Sequence, residues 1–466
     1  MYKVILLKIA ILIIIISNLF AGNDTDYLKF YDNLPFNMPE IKIPVFPDYE
    51  VNIIEFGAVG NGNIINTQAI NDAIRQCSQN GGGKVIIPAG IWLTGPIKLQ
   101  SNVNLYLKEQ AFLQFSSNYK DYPLIKSNWE GEDQVRYLSP ISGYDLQNIA
   151  ITGHGIIDGA GEAWRPVKKF KMTDYQWREL VNSGGVVNED TDIWWPSEAA
   201  MHGAELVEKL SNKKDTQIEE YAAAGEYLRP VMINLVDCKN VLLDGPTFQN
   251  SPAWNIHPLL CENIIIRNIT VRNPWFSQNG DGLDLESSRN IIVYNSDFDV
   301  GDDAICIKSG KNEFGRKRNI PTENVIIDGC TVYHGHGGFT VGSEMSGGVH
   351  NIAVNNCTFI GTDVGLRFKS TRGRGGIVED IYISNIYMKD IPTEAIRFNL
   401  YYDYSAPIPE DGDERKSPFL DRPSAPINEE TPQFRDIKIK NIFCIGAERP
   451  LLMVGLPEMP KNFIKR

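Results

Sequence analysis

Paired cysteines, excess positive charge and long apolar runs are all missing from most of this chain. Seven cysteines stand at positions 77, 238, 261, 306, 330, 357 and 444, an odd number with no CxxC pair and no short loop spacing. A disulfide scaffold is a poor fit to that pattern, and Cys330 and Cys357 fall at repeat positions taken elsewhere by Ile269, Ile386 and Ile442, which makes them core filler. Lys and Arg number 45 against 58 Asp and Glu, a net charge of -13, the opposite of a nucleic-acid footprint. A local basic cluster still suits an anionic ligand, because screening confines exposed charges to roughly 8–10 Å. The one long apolar stretch, Ile9 to Phe20, follows a Lys-bearing start and precedes Ala21-Gly22. It reads as a secretory signal peptide over 1–22, shorter than the ~20 uninterrupted apolar residues of a membrane span. No later segment competes as a span, and no cysteine follows closely enough for lipid attachment. The mature protein is therefore expected in the periplasm or outside the cell, with no membrane contact after the signal is removed.

Hairpin dipeptides are also scarce, and the leucine spacing of leucine-rich repeats is absent. What the second half does contain is a hexad that returns five times: Gly282-Leu-Asp-Leu-Glu-Ser287, Ala304-Ile-Cys-Ile-Lys-Ser309, Gly338-Phe-Thr-Val-Gly-Ser343, Gly365-Leu-Arg-Phe-Lys-Ser370 and Ala395-Ile-Arg-Phe-Asn-Leu400. A second pattern opens each unit, as in Asn240-Val-Leu-Leu, Asn263-Ile-Ile-Ile, Asn290-Ile-Ile-Val, Asn324-Val-Ile-Ile, Asn351-Ile-Ala-Val, Asp380-Ile-Tyr-Ile and Asp436-Ile-Lys-Ile. The starts from 240 to 380 lie 23, 27, 34, 27 and 29 residues apart, so loops vary on a constant strand core. Asn268, Asn295, Asn356, Asn385 and Asn441, five residues into most units, suit a turn in which an amide bonds the same amide one rung away. Each unit offers short strands of period two separated by turn residues. Such units bury their apolar sides only by stacking, which predicts an all-β right-handed parallel β-helix with rungs ~4.8 Å apart.

Other stretches cap or interrupt that stack. Ile70, Ala73, Ile74 and Cys77 form a helical stripe ended by Gly81-Gly-Gly83, a helix placed to cover the first coil. From 161 to 228 the repeat gives way to a partly helical, Trp-bearing insertion, and 401–433 is a Pro- and charge-rich loop. The expected layout is a lead-in over 23–50, a β-helix catalytic domain over 51–450 and a tail over 451–466.

Within the hexads Leu283 and Leu285 match Ile305 and Ile307, Phe339 and Val341, Leu366 and Phe368, and Ile396 and Phe398, so these positions point inward. Their neighbours Asp284, Glu286, Lys308, Arg367, Lys369, Arg397 and Asn399 then point outward. One step before the hexads stand Asp281 and Asp303; two steps before stand Asp302, His336 and Asp363. Gly-Asp-Asp alone is an ordinary turn, and a single His is commonly structural; stacking Asp302 on His336 beside Asp281 is what gives them meaning. Glycoside hydrolysis needs one protonated and one ionised carboxyl, and crowded carboxylates push their pKa values apart. Lys308, Arg367, Lys369 and Arg372 suit a substrate carboxylate. Trp194, Trp195, Trp254 and Trp275 are open to sugar stacking or to packing, and Tyr401 or Tyr402 follows the last hexad where it would close a subsite.

Asn279-Gly-Asp281, Gly301-Asp-Asp303, Gly335-His-Gly337 and Arg367-Phe-Lys369, in that order on successive coils, resemble the four motifs of the polygalacturonases, glycoside hydrolase family 28. The resemblance covers roughly 50 to 450. It implies a right-handed parallel β-helix, pectic polysaccharide as substrate and single-displacement inverting hydrolysis without metal or organic cofactor. Asp302 would be the general acid, and Asp281 with Asp303 would activate water. His336 would support the acid or touch substrate, Arg367 and Lys369 would hold a galacturonate carboxylate, and Asn279 would contact substrate. Gly280 replaces the usual Thr and Phe368 the usual Ile. The insertion and the 401–433 loop are expected to wall one end of the groove, which favours exo action. Hydrolysis of rhamnogalacturonan or xylogalacturonan, a lyase on the same fold and a non-catalytic carbohydrate-binding β-helix remain open, separable by substrate profile and by Asp302→Asn.

Overall fold

The computed structural model describes residues 25–402 and 424–459. The expected signal peptide and much of the 401–433 loop lie outside the described residues.

Three ladders of parallel strands run the length of a right-handed parallel β-helix. One begins at Glu50–Asn52 and climbs through Gly83–Ile87, Val103–Leu107, Gln147–Gly153 and Lys239–Asp244 to the last coil. The third carries the hexads, and its register is the one the sequence predicts: Leu283 faces Ile305, Ile305 faces Phe339, Phe339 faces Leu366, and Leu366 faces Ile396. Leu283, Leu285, Ile305, Ile307, Phe339, Val341, Leu366 and Phe368 are all buried in one continuous core. Phe368 stacks on Phe398 with ring centroids 4.4 Å apart and planes 6° from parallel, so the aromatic replacement at this position fills a ring column.

The first ladder departs from strict alternation, because apolar runs such as Ile264, Ile265 and Ile266 are buried on both faces. The lead-in explains this. Tyr27 and Ile41 pack on the outside of the ladder against Leu242, Ile265, Ile292 and Ile326, and the Tyr27 hydroxyl donates to the Ile41 carbonyl at 2.8 Å. Strands covered on both sides lose their polar face.

Asparagine holds the turns, in a column longer than the one expected. Asn148, Asn240, Asn263, Asn290, Asn324 and Asn351 each donate through Nδ2 to the Oδ1 of the asparagine one coil earlier, at 2.9–3.1 Å, starting from Asn102. All sit at positive φ, which asparagine tolerates better than most residues. The column at the second asparagine position is broken: Asn385 bonds Asn356 and Asn441 bonds Asn385, but Asn268 and Asn356 donate to Asp244 and Asp328.

Helix Thr67–Gln79 buries Ile70, Ala73, Ile74 and Cys77 against the first coils, as its stripe predicts. At the other end the expected boundary at 450 moves: strand Ile437–Val454 continues the third ladder, with Leu451 opposite Ile396 and Val454 opposite Asn399. The insertion folds as helices Asp174–Asn182, Glu198–Met201 and Gly203–Ser211 with short antiparallel strands. Beside it lies an antiparallel hairpin, Leu124–Trp129 with Glu132–Tyr137, that the sequence analysis did not anticipate. No helix among the described residues is long and apolar enough to cross a membrane.

Candidate active site

The third ladder places its carboxylates where its strands begin. Backbone bonds between rungs fix them: the Gly282 amide donates to the Asp303 carbonyl at 2.9 Å, and the His336 amide to the Asp302 carbonyl at 2.9 Å. Asp281, Asp302 and Asp303 thereby bring one oxygen each to within 4.8 Å of one another. His336 continues the Asp302 column, with Nδ1 3.3 Å from Asp302 Oδ1 and Nε2 3.6 Å from Asp363 Oδ2. Gly337 makes room for this: a Cβ there would meet Thr340 Oγ1 and come 3.0 Å from Asp303 Oδ1. Gly280 is dictated in the same way, because Ser277 Oγ occupies the space a side chain would need.

Two cations close on Asp303. Arg367 Nη1 lies 2.9 Å from its Oδ1 and Lys369 Nζ 2.7 Å from its Oδ2, and the Thr340 hydroxyl donates to Oδ1 at 3.0 Å. The Tyr402 ring covers both, 5.7 Å from the Arg367 guanidinium and 4.6 Å from Lys369 Nζ. Burial pushes the Asp303 pKa up, but Lys369, Arg367 and Lys308 outweigh it and hold the group well below the usual carboxylate range. Asp302 is also burdened by burial, yet its hydrogen bond to His336 and that ring's charge, with help from Lys369, leave it below its ordinary value. Asp281 goes the other way: burial first, then Asp284 and Asp302, raise it well above. The carboxylates are pushed apart as crowding predicts, with Asp281 rather than Asp302 the one shifted toward its protonated form. These three acids are the one group among the described residues spaced to ligate a cation. With both Asp303 oxygens held by Arg367 and Lys369, that donor set is a poor fit to a metal.

Several outward residues are not where the strand pattern put them. Lys308 is 3 % exposed and pairs with Glu344 at 2.9 Å and Asp284 at 3.6 Å, with Trp254 4.6 Å away, so it does not reach the cleft. Asp284 and Glu286 are fully buried, the latter between His257 at 3.0 Å and Arg318 at 2.8 Å. The hairpin and helix Asn312–Arg318 roof this part of the face, joined where Lys311 meets Glu132 at 3.8 Å. Tyr401 packs into the core and only Tyr402 reaches the cations. Arg372 is engaged in a bidentate pair with Glu458 at 2.8 and 2.6 Å. Trp194 and Trp254 are buried, whereas Trp195 and Trp275 face cavities. Asn279 stays at the site, where its Oδ1 accepts from Arg229 Nη2 at 2.6 Å.

The residues that sequence reasoning missed come from outside the repeats. Lys171 of the insertion reaches across to place Nζ 3.3 Å from His336 Nε2 and 3.4 Å from the Gly301 carbonyl. Burial lowers the Lys171 pKa. With Trp275, Asp363 and His336 it lines a cavity of about 790 Å³. The insertion thus lies at the cleft, and no periodic signal in its sequence could have said so.

The sequence model for glycosyl hydrolases family 28 matches residues 213–409. The structure of a hyperthermoactive exopolygalacturonase from Thermotoga maritima superposes with a TM-score of 0.71 at 31 % identity, over 88 % of this chain and 83 % of that one. This chain belongs to family 28. A probable polygalacturonase of Vitis vinifera is 31 % identical over 351 residues, 73 % of this chain, and an exo-poly-alpha-D-galacturonosidase of Dickeya chrysanthemi 29 % identical over 360 residues, 76 % of this chain. The matched stretches span 61 % and 57 % of those two relatives.

Proposed function

We propose that this family 28 protein hydrolyses α-1,4-galacturonosidic bonds of pectin or polygalacturonate, working from chain ends by single displacement. The observation that carries this is one cluster: Asp281, Asp302 with Asp303, and His336 on three successive rungs, with Arg367, Lys369 and Tyr402 beside them. Relatives named for galacturonate hydrolysis support the substrate, and two of the structural neighbours are exopolygalacturonases.

In this mechanism a galacturonate carboxylate settles on Arg367 and Lys369, sharing them with Asp303. Its negative charge, and the compensation it withdraws, raise the Asp302 pKa. A proton on Asp281, the carboxyl shifted upward, then moves to Asp302, which protonates the departing glycosidic oxygen. Asp281, now ionised, and Asp303 orient and deprotonate the water. His336 hydrogen-bonds Asp302 and holds it toward that oxygen. One oxygen from each of the three acids lies within 4.8 Å of the others, nearer than the roughly 6.5–9.5 Å typical of inverting pairs; we place the water on Asp281 and Asp303 together. Walling by the insertion favours chain-end attack.

Chromatography of products from polygalacturonate over time tests the proposal. Monomer or dimer from the first time point is expected; mid-length oligomers first would overturn chain-end action, and no product from any galacturonan would overturn the substrate. Unsaturated, ultraviolet-absorbing products would mark a lyase instead. Export is part of the proposal, resting on the apolar stretch at 9–20. The extracellular or periplasmic protein should begin close to Asn23 by N-terminal sequencing.

A further inference from the structure

Beside Asn279, two residues before Asp281, a cavity of about 330 Å³ opens between the β-helix and the segments that leave it. Trp129, Arg136, Lys168, Trp195, Tyr227 and Arg229 line it, and none of them belongs to a repeat. Arg136 and Arg229 are 4 % and 7 % exposed, so both guanidiniums are largely out of water. Burial lowers each pKa to about 10, which leaves both charged near neutral pH.

Their hydrogen-bond partners are neutral. Arg136 Nη1 donates to the Tyr227 carbonyl at 2.9 Å and Nη2 to Gln134 Oε1 at 2.8 Å, while its buried Nε has no acceptor. Arg229 Nη1 donates to the carbonyls of Gln278 at 2.6 Å and Pro252 at 3.1 Å, and Nη2 to Asn279 Oδ1. Glu130 is on the same cavity wall and its charge acts on both arginines, as those of Asp281 and Asp302 act on Arg229, but neither arginine makes an ion pair with a described carboxylate. Other cations of this face are matched, Lys308 with Glu344, Arg318 with Glu286, and Arg367 and Lys369 with Asp303, while Arg165, 1 % exposed, is also held by neutral groups alone, the Ser251 carbonyl and Asn250 Oδ1. A buried charge without a contacting counter-ion is costly unless something supplies one. Here the hollow admits an anion, and planar guanidiniums favour a carboxylate. The walls add two rings against which a pyranose packs, Trp195 and Tyr227, whereas Trp129 is covered by the Arg136 guanidinium at 4.2 Å and by Trp254 at 5.6 Å. The volume is at the small end of ligand cavities, roughly 300–1,000 Å³, which suits a short stretch of sugar.

Position completes the argument. The cavity adjoins the start of the Asp281 coil, Asp302 and Asp303 lie on the next coil, and Arg367 and Lys369 lie two rungs beyond those. The reacting carboxylates stand between the cavity and the clamp. We propose that this cavity is the terminal subsite of the cleft, where Arg136 and Arg229 take the carboxylate of the galacturonate at a chain end and the hairpin and insertion stop the chain. This rests on the galacturonate reading above and names the group that would make it chain-end specific.

The test compares hydrolysis of trigalacturonate as free acid with trigalacturonate methyl-esterified on its chain-end sugar, for wild type, Arg136→Gln and Lys168→Met, with thermal melts as a folding check. Arg136→Gln should lose about ten- to a hundredfold in kcat/KM on the free acid, carried by KM, which is the scale of one charge-assisted hydrogen bond. It should change little on the ester, so the acid preference collapses. Lys168→Met, on the same wall, should move that ratio in the same direction by less, and it carries the test alone if Arg136→Gln does not fold. Active enzyme in which the variants keep the wild-type acid-to-ester ratio overturns the subsite and leaves the proposed function standing. A wild type that cleaves no galacturonate oligomer overturns the proposed function and the subsite with it.

Discussion

The inner and outer columns of the hexad strands share a backbone and a register, yet they were built by different parts of the chain. Leu283, Ile305, Phe339 and Leu366 pack on one another, rung on rung, and need nothing else. One residue along, Asp284, Cys306 and Thr340 face outward and are just as deeply placed, with Arg367 half-buried beyond them, but what covers them arrives from the hairpin, the insertion and helix Asn312–Arg318. The inner column is held by local periodicity, the outer one by segments distant in sequence. Chemistry sits where the second kind of contact is laid over the first.

That contrast can be broken in order of expected effect. Asp302→Asn strikes the outer column at the proposed acid; activity on polygalacturonate should fall by about 10²–10⁴-fold with an unchanged melting temperature, and retained turnover would remove Asp302 from the role. The pH profile sharpens the same point. Because Asp281 is raised and Asp303 depressed, the Asp281–Asp302 pair keeps its single proton below the raised Asp281 value. As pH rises through that value the proton is lost, so kcat/KM should fall on the alkaline side, and Asp281→Asn should displace that limb. Phe368→Ala attacks the inner column instead: the loss of a ring stacked on Phe398 should cost about 3–5 kcal/mol in denaturant unfolding. Lys171→Met cuts the insertion's link to His336 and should lower kcat/KM by about three- to tenfold without changing stability. Asn263→Ala breaks the asparagine column between Asn240 and Asn290 and should cost about 1–3 kcal/mol, again read by unfolding.

The difference between the columns also explains what could be read from the sequence. A strand's side chains alternate with period two, so aligning five hexads fixed every neighbour to the residue, including Asp302 over His336 and Arg367 beside Lys369. The capping helix was visible for the same reason, through the stripe Ile70, Ala73, Ile74 and Cys77. Periodicity says which way Lys308 points but not that Glu344 and Trp254 will enclose it. It could not separate Tyr401 from Tyr402, or foresee that Glu458 takes Arg372. Nor could it place Lys171, Arg136 and Arg229, whose positions depend on how non-repeating segments fold back onto the coils.

The central claim is that Asp281 and Asp303 hold a water for a single displacement while Asp302 gives up its proton. Nuclear magnetic resonance of the first-formed product from trigalacturonate, before mutarotation, tests it directly. Inversion at the α-linked carbon, giving the β-anomer first, is the predicted result. An α-anomer formed first would mean retention through a covalent glycosyl-enzyme, with one of these carboxylates acting as nucleophile, and would contradict the account.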